Sequence, residues 1–233
     1  MKFDKPLIPG RLLKRYKRFL ADVELEDGQI ITAHCANPGS MLGLKDPGMR
    51  VWLSRSDNPK RKLAYSWELL ELEDAMIGIN TGHPNRIVEE AILAGTIEEL
   101  KGYEILRREV KYGTNSRIDL LLQDDAKPDC YVEVKNAHLL RQQGLAEFPD
   151  SVTKRGAKHL DELAAMVKAG KRAVMLYLIQ RTDANRFALA ADIDPNYAER
   201  FRLAHDQGVE AYAYLCEITT SEIKLTNAVP ILL

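Results

Sequence analysis

The sequence predicts a two-part α+β protein, with a small antiparallel β-barrel over residues 1–81 and a mixed α/β domain over residues 82–233. Two observations lead to this prediction. Up to about residue 80, short runs of alternating apolar residues are separated by turn signals, and no long amphipathic helical pattern occurs. From residue 84 to residue 180 the patterns follow the order α-β-β-β-α-β, and the last strand is almost continuously apolar, as in a strand buried on both faces.

The first part contains about five short strands. Apolar and polar residues alternate over residues 18–26, with Phe19 and Val23 on the apolar face, which is typical of a half-buried strand. Asp27-Gly28 is a hairpin signal, and the next run returns as the partner strand. A later turn contains Asn37, which we expect to fix that turn rather than to bind a ligand. Five short strands favour an OB-like barrel, although an SH3-like barrel would have a similar pattern.

The second part begins with a helix that starts at Pro84 and ends at Gly95, because proline suits a first helical turn and glycine suits a helix end. Strands are predicted next, then a loop rich in polar and glycine residues, a second long helix and a buried strand. The predicted ranges are 103–112, 116–123 and 130–140 for the strands, 153–169 for the helix, 172–180 for the buried strand, and 195–206 and 209–216 for a further helix and strand before a final hairpin.

Composition limits the class of protein. The chain has 45% hydrophobic and 29% charged residues, as soluble globular proteins do, and no apolar run approaches the roughly 20 residues of a membrane helix. Cys35, Cys130 and Cys216 are far apart and form no zinc-binding pair, which predicts reduced thiols in a cytoplasmic protein. The net charge of −1 does not indicate a nucleic-acid binder, but the N-terminal part is locally basic.

Asp119, Glu133 and Lys135 form the arrangement that can carry chemistry. Glu133 and Lys135 lie two residues apart on a predicted strand, so their side chains share a face, and Asp119 lies on the preceding strand. Opposed residues of a hairpin have Cβ atoms about 5 Å apart, so the three groups can meet. Two carboxylates and the backbone carbonyl of Val134 suit Mg²⁺ or Mn²⁺, and Lys135 can orient water or stabilise developing charge. The alternative is a structural ion pair with one spare acid.

This arrangement resembles the PD-(D/E)xK nuclease superfamily, with Ile118-Asp119 in place of Pro-Asp. More specifically, the chain resembles the sugar fermentation stimulation protein A family over nearly its whole length. The segments that carry the match are LIPGRLLKRYKRFLADVEL, TAHCANPGSM, INTGHPNRIVEEAI, REVKYGTNSRIDLLL, CYVEVKN, FPDSVTKRGAKHLDEL and QRTD. The resemblance implies an N-terminal OB-like domain, a C-terminal nuclease-like domain, non-specific DNA binding and a link to sugar (maltose) metabolism.

The resemblance also implies further site residues. Superfamily members often contribute a carboxylate from the first core helix, which implies Glu89 or Glu90, with a slight preference for Glu89. Acids in an early helical turn can instead merely complement the helix dipole. Related nucleases also use the second long helix, whose first turns carry Lys154, Arg155 and Lys158. A bound phosphate would explain cations at a helix N-terminus, and a solvated charged turn is the alternative.

Two basic clusters in the first part are candidate DNA contacts. A backbone-tracking groove with a stacking aromatic platform would use such residues, whereas a merely solvated arm is the alternative for the first cluster. The polar stretch before Pro84 leads into the first helix, so its side chains can line the same cleft. The two clusters are Arg11, Lys14, Arg15, Tyr16, Lys17 and Arg18, and Arg55, Lys60 and Arg61.

We therefore expect a Mg²⁺- or Mn²⁺-dependent DNA phosphodiesterase in which the barrel holds the strand and the second domain carries the catalytic residues. The alternative is a regulatory protein that binds DNA non-specifically and does not cleave it. The expected partner is DNA and not a membrane, and the expected location is the cytoplasm, where the nucleoid is accessible. The sequence leaves the oligomeric state open.

Overall fold

The computed structural model describes residues 1–113 and 116–232, and its first part is a closed five-stranded barrel with one short additional strand. The strands are β1 Ile8–Tyr16, β2 Leu20–Leu25, β3 Ile30–His34, β4 Arg50–Arg55, β5 Tyr65–Glu71 and β6 Met76–Gly78. They follow the order β3-β2-β1-β4-β5-β6, and a parallel pairing of β3 with β5 closes the barrel. The predicted OB-like barrel is therefore confirmed.

The alternating pattern of residues 18–26 correctly predicts which side chains enter the barrel core, except at Phe19. Val23 is fully buried beside Leu12 and Trp67, whereas Phe19, predicted on the same apolar face, lies in the turn before β2 and is 43% exposed. Most of the basic segment from residue 11 is not an arm, because it forms β1, with Leu12 in the core. Its cations therefore project from a rigid strand.

The second part has the predicted α-β-β-β-α-β order, with additional strands. The helices are α1 Pro84–Leu93, α2 Lys154–Lys168 and α3 Pro195–Asp206, with one turn of 3₁₀-helix at Glu98–Leu100. The strands are β7 Ile105–Tyr112, β8 Ser116–Asp124, β9 Lys127–Ala137, β10 Leu139–Gln142, β11 Gly144–Phe148, β12 Arg172–Ile179, β13 Ala184–Leu189, β14 Glu210–Ile218, β15 Ile223–Val229 and β16 Ile231–Leu232.

The main sheet separates two apolar layers. Its order is β15-β14-β12-β9-β8-β7, and β12 runs parallel to both of its neighbours. Side chains of α1 pack on one face of the sheet, and side chains of α2 and α3 pack on the other. Residues 173–179 of β12 are all fully buried, as the continuous apolar run predicts.

The prediction of a loop between the third strand and the second long helix is wrong. This segment contains β10 and β11, which join β13 and β16 in a second sheet of order β10-β11-β13-β16. The local pattern hides β11 because it has only five residues and begins with Gly144. Its strand character comes from parallel pairing with β13, about forty residues away along the chain, where Ala146 lies opposite Phe187.

Asp150 joins the two parts of the molecule. Its Oδ2 accepts a hydrogen bond from the Met41 backbone N–H at 3.1 Å, and its backbone carbonyl accepts one from Ser40 Oγ at 2.8 Å. A side chain at Gly39 would collide with the Asp150 carboxylate. Burial alone would raise the pKa of Asp150, but His138 and the Met41 N–H hold this pKa at about 2. The charged carboxylate is therefore tied to the barrel.

Asp150→Asn should lower the thermal stability in a pH-dependent way. A pKa of about 2 in the folded protein, against 3.8 as reference, contributes about 2 kcal/mol. Because the folded pKa is depressed, this stability is present above about pH 4 and is lost as the pH falls towards 2. At neutral pH we expect the variant to melt about 4–8 °C lower.

The control for this measurement is Asp192→Asn. Asp192 pairs with Arg141 at 2.6 Å and also has a pKa of about 2, but its side chain is 65% exposed. Solvent screens such a pair, so this variant should melt close to the wild type. Equal melting shifts for the two variants, or a shift at Asp150 that persists at pH 2, would contradict the role of Asp150.

Candidate active site

A cleft of about 580 Å³ lies between the barrel and the main sheet. Residues from both parts of the chain line it, so neither part forms the cleft alone. The lining residues are Arg18, Asn37, Pro38 and Gly39 from the barrel, and Thr81, Pro84, Asn85, Asp119, Glu133, Val134, Lys135, Asn136, His138, residues 148–153 and Arg155 from the rest of the chain. The predicted triad is therefore brought together at one place.

Asp119 lies where the ladder between β8 and β9 opens. On this side the pairing ends at Leu120 and Val132, and the Val134 N–H donates to Asp119 Oδ2 at 2.8 Å instead of to the backbone of β8. The N–H and C=O of one strand residue point to the same edge, so the carbonyl of Val134 also faces this gap. The other carboxylate oxygen, Oδ1, accepts a hydrogen bond from Asn85 Nδ2 at 2.9 Å.

The strand on the other side of Asp119 is also irregular. The pairing between β7 and β8 skips Glu109 and Asp119, and Glu109 has a φ of 53°. A residue other than glycine rarely adopts this left-handed conformation, which costs on the order of 1 kcal/mol. Strained backbone of this kind often occurs at functional sites.

Glu133 is almost fully buried between two nitrogen groups. Lys135 Nζ donates to Glu133 Oε1 at 2.6 Å, and His159 Nδ1, from α2, makes a very short contact with the same oxygen. Arg155 Nε donates to His159 Nε2 at 3.3 Å, which leaves the other ring nitrogen of His159 to donate to Glu133. A chain of three side chains, Arg155, His159 and Glu133, therefore fixes the carboxylate.

The two carboxylates have opposite pKa shifts. Burial and the negative charge of Glu133 raise the pKa of Asp119. Burial alone would also raise the pKa of Glu133, but the hydrogen bond from His159 and the charge of Lys135 outweigh it, so this pKa is lowered. Asp119 accepts its hydrogen bonds from neutral donors, the Asn85 amide and the Val134 N–H, whereas Glu133 contacts Lys135 and His159.

The residues present fit a divalent cation. Glu133 Oε2 is buried and, within residues 1–113 and 116–232, has no hydrogen-bond partner. A buried unpaired carboxylate oxygen is costly unless a cation or water completes it. In that part of the chain, no group of three or more His, Cys, Asp or Glu side chains has the arrangement of a metal site. Asp119, Glu133 and the Val134 carbonyl supply oxygens, which are the ligands that Mg²⁺ takes together with water or phosphate oxygens.

The structure does not bring the predicted Glu89 into the cleft. Glu89 forms an ion pair with Arg108 of β7 at 3.4 Å, and Glu90 pairs with Arg86 at 3.0 Å. Asn85, one turn before Glu89, is the α1 side chain that reaches Asp119. The helix therefore supplies an amide to the site in place of the expected acid.

The three cations at the start of α2 have different surroundings. Arg155 lines the cleft and contacts His159. Lys158 forms an ion pair with Glu162 at 3.5 Å, and Lys154 is exposed outside the cleft lining. The α2 residue that completes the site is His159, which lies four residues after Arg155 and so on the same helix face.

The residues of the first basic cluster, Arg11 to Arg18, also have different surroundings. Arg18 lines the cleft, and Lys17 beside it is exposed. Arg15 Nη2 donates to the backbone carbonyls of Asn37 and Gly39 at 2.8 and 3.1 Å, so this side chain helps to hold the loop after β3. A DNA contact by Arg15 stays a prediction, whereas Asn37 does fix its turn through the Gly39 N–H at 2.9 Å.

The remaining predicted contacts lie away from the cleft. Arg11 is exposed near Gly48, and Lys14 covers the ring of Tyr16, whose hydroxyl donates to Asp22. Stacking of a base on Tyr16 stays a prediction. The second cluster lies elsewhere on the surface: Arg55 and Arg61 line a separate cavity of about 340 Å³, and Lys60 is exposed.

Comparison with known proteins identifies the family. A model of the "Sugar fermentation stimulation protein RE domain" matches residues 82–222, and one of the "SfsA N-terminal OB domain" matches residues 13–79. Sugar fermentation stimulation protein homologs are 62% identical in Rhodospirillum centenum, over 96% of each chain, and 59% identical in Brucella ovis, over 99% of this chain and 97% of the other.

A solved structure extends this likeness to three dimensions. SfsA of Pyrococcus furiosus in complex with Ca²⁺ matches with a TM-score of 0.90 and 27% identity, over 100% of this chain and 98% of the other. No helix in the described part of the chain is long and apolar enough to cross a membrane. The family models together span most of the sequence, so this chain belongs to the sugar fermentation stimulation protein family.

Proposed function

We propose that this protein is a divalent-metal-dependent DNA phosphodiesterase. The observation that carries the proposal is the buried, unpartnered Oε2 of Glu133 beside Asp119, with Lys135 next to them in an open cleft. Two acids can hold a divalent cation and a lysine can stabilise developing charge, and metal-assisted hydrolysis of a phosphodiester uses both functions. The related structure from Pyrococcus furiosus is a complex with Ca²⁺, which supports the binding of a divalent cation by this fold.

Each residue of the site has its own role in the proposed hydrolysis. A bound Mg²⁺ or Mn²⁺ would polarise the phosphodiester and help to ionise water. Asp119 and Glu133 hold their oxygens towards the cleft, and the Arg155–His159 pair keeps the Glu133 carboxylate in its orientation. The side chain of Lys135 is 14% exposed, and its Nζ can donate to a phosphate oxygen or to the attacking water while it stays hydrogen-bonded to Glu133.

DNA is the substrate that the charge distribution favours. Arg18 from the barrel and Arg155 from α2 both line the cleft that contains the acids. Cations on both domains can contact the phosphates on either side of the cleaved bond, and such contacts carry no sequence information. We therefore propose non-specific binding, driven by contacts to the phosphate backbone.

Binding without cleavage is the second candidate. The observation that favours it is the double pairing of Glu133 Oε1 with Lys135 and His159, which neutralises this acid without any metal. In that case DNA would occupy the cleft and remain intact. The two candidates differ in one measurable result, which is strand cleavage.

The test is incubation of the purified protein with single- and double-stranded DNA in Mg²⁺, Mn²⁺ or EDTA. We expect cleavage with a divalent metal, none in EDTA, and none with Glu133→Gln. The matched control is Glu217→Gln, which makes the same substitution at an exposed residue of β14 and should cleave like the wild type. DNA that is bound but stays intact under every metal condition would establish the second candidate.

A further inference from the structure

The β1–β2 hairpin ends in a basic and aromatic tip. This tip consists of Lys17, Arg18 and Phe19, which connect the two strands. Lys17 and Arg18 have φ values of 46° and 64°, a left-handed conformation that usually selects glycine or asparagine. The chain thus carries two long cations where a turn-forming residue would be more stable. Arg18 lines the cleft, so the tip lies at the cleft mouth.

Phe19 presents an open ring at this tip. It is 43% exposed, although the barrel core lies directly behind β2. Its ring lies beside that of His34 at the end of β3, with ring centroids 6.3 Å apart and an angle of 31° between the planes. His34 is three residues before Asn37, which also lines the cleft. The two rings therefore form a supported aromatic surface next to the cleft.

The opposite side of the mouth also has an exposed apolar side chain. Val152 lines the cleft from the second domain and is 67% exposed. The Asp150 contacts to Ser40 and Met41 hold this segment against the barrel, so Val152 is on a fixed part of the wall. Apolar side chains on both domains thus lie among the cations that would contact phosphates.

We propose that the tip binds an unpaired base of DNA, with the base stacked on Phe19 and its phosphate on Arg18. A base within a duplex is already stacked on its neighbours, so an exposed ring next to a phosphate-binding cation suits a single strand. The substrate class is thus DNA with unpaired bases at the cleft. This inference rests on the proposed function for its relevance to cleavage, but base stacking itself requires no metal.

The test measures binding in EDTA by fluorescence anisotropy, with an oligothymidine of about 15 nucleotides and a duplex of equal length. Phe19→Ala should weaken single-strand binding about 5- to 150-fold, because stacking contributes about 1–3 kcal/mol per base, and should change duplex binding less than about twofold. Phe19→Trp should retain single-strand binding. Arg18→Ala should weaken binding of the single strand and of the duplex. It should also reduce the salt dependence of the binding constant by the amount expected for about one phosphate contact.

The matched control is Ile30→Ala, which removes an apolar side chain that is 65% exposed on β3 of the same barrel. It should leave both affinities unchanged. Single-strand binding by Phe19→Ala equal to wild type, or equal losses for single strand and duplex, would overturn the proposal. Because no metal is present, these results do not depend on cleavage. A protein that stacks bases but never cuts would contradict only the proposed function.

Discussion

Asp119→Asn should abolish metal-dependent DNA cleavage, with a loss of at least about 10³-fold, and leave the metal-free protein folded. The substitution removes one of the two carboxylates of the Asp119–Glu133–Lys135 triad, all three members of which line the cleft. The hydrogen bonds can be kept, because the new amide oxygen can accept from the Val134 N–H while Asn85 rotates its own amide to accept from the new NH₂ group. Lost activity would then report lost charge rather than lost structure.

The stability of this variant gives a second readout. Burial and Glu133 raise the pKa of Asp119, so its ionised form is unfavourable in the metal-free protein. We expect the variant in EDTA to melt no lower than the wild type, and Mn²⁺ to raise the melting temperature of the wild type alone. The matched control is Asp124→Asn at the far end of β8. Cleavage retained by Asp119→Asn, or an equal Mn²⁺ effect in both proteins, would refute the assignment of Asp119.

Lys135→Met should reduce cleavage about 10²- to 10³-fold while the affinity for DNA in EDTA changes little. Methionine keeps the length of the side chain but cannot donate a hydrogen bond to a phosphate oxygen or to water. Lys135 is only 14% exposed, so it is a minor contributor to phosphate binding compared with Arg18 and Arg155. The effect should therefore appear in the single-turnover rate and not in the binding constant.

The same substitution should destabilise the metal-free protein, in contrast to Asp119→Asn. Glu133 would remain buried with His159 as its partner, and breaking a buried ion pair costs up to about 3–5 kcal/mol. The control is Lys127→Met, at the exposed start of the same strand β9. If Lys135→Met lost DNA affinity in parallel with rate, Lys135 would be a binding residue and not part of the chemical step.

The parts of the site that follow local patterns are predictable from sequence. Glu133 and Lys135 share a face because strand side chains alternate, and a hairpin connection brings Asp119 beside them. The alternation over residues 18–26 and the Asp27-Gly28 turn likewise predict the hairpin of β2 and β3. In these cases the relevant contacts lie within one element or between neighbours along the chain.

The parts that depend on packing between distant elements are not predictable in this way. His159 meets Glu133 only because α2 packs across β9 and β12, and no spacing in the sequence encodes that contact. Arg15 belongs to a basic run, yet its guanidinium is held by the carbonyls of a loop more than twenty residues away. Glu89 is drawn to Arg108 on β7, which a helical wheel cannot show. In each case a residue that is distant along the chain determines what the side chain contacts.

The contact between Asp150 and the barrel has a thermodynamic consequence for association. Two domains on a flexible linker would lose rotational and translational freedom when a ligand bridged them, and this loss would weaken binding. Here the hydrogen bonds to Ser40 and Met41 set the separation of the two cleft walls during folding. The cleft is therefore preorganised, and more of the interaction energy with any ligand that bridges the two walls remains available as affinity.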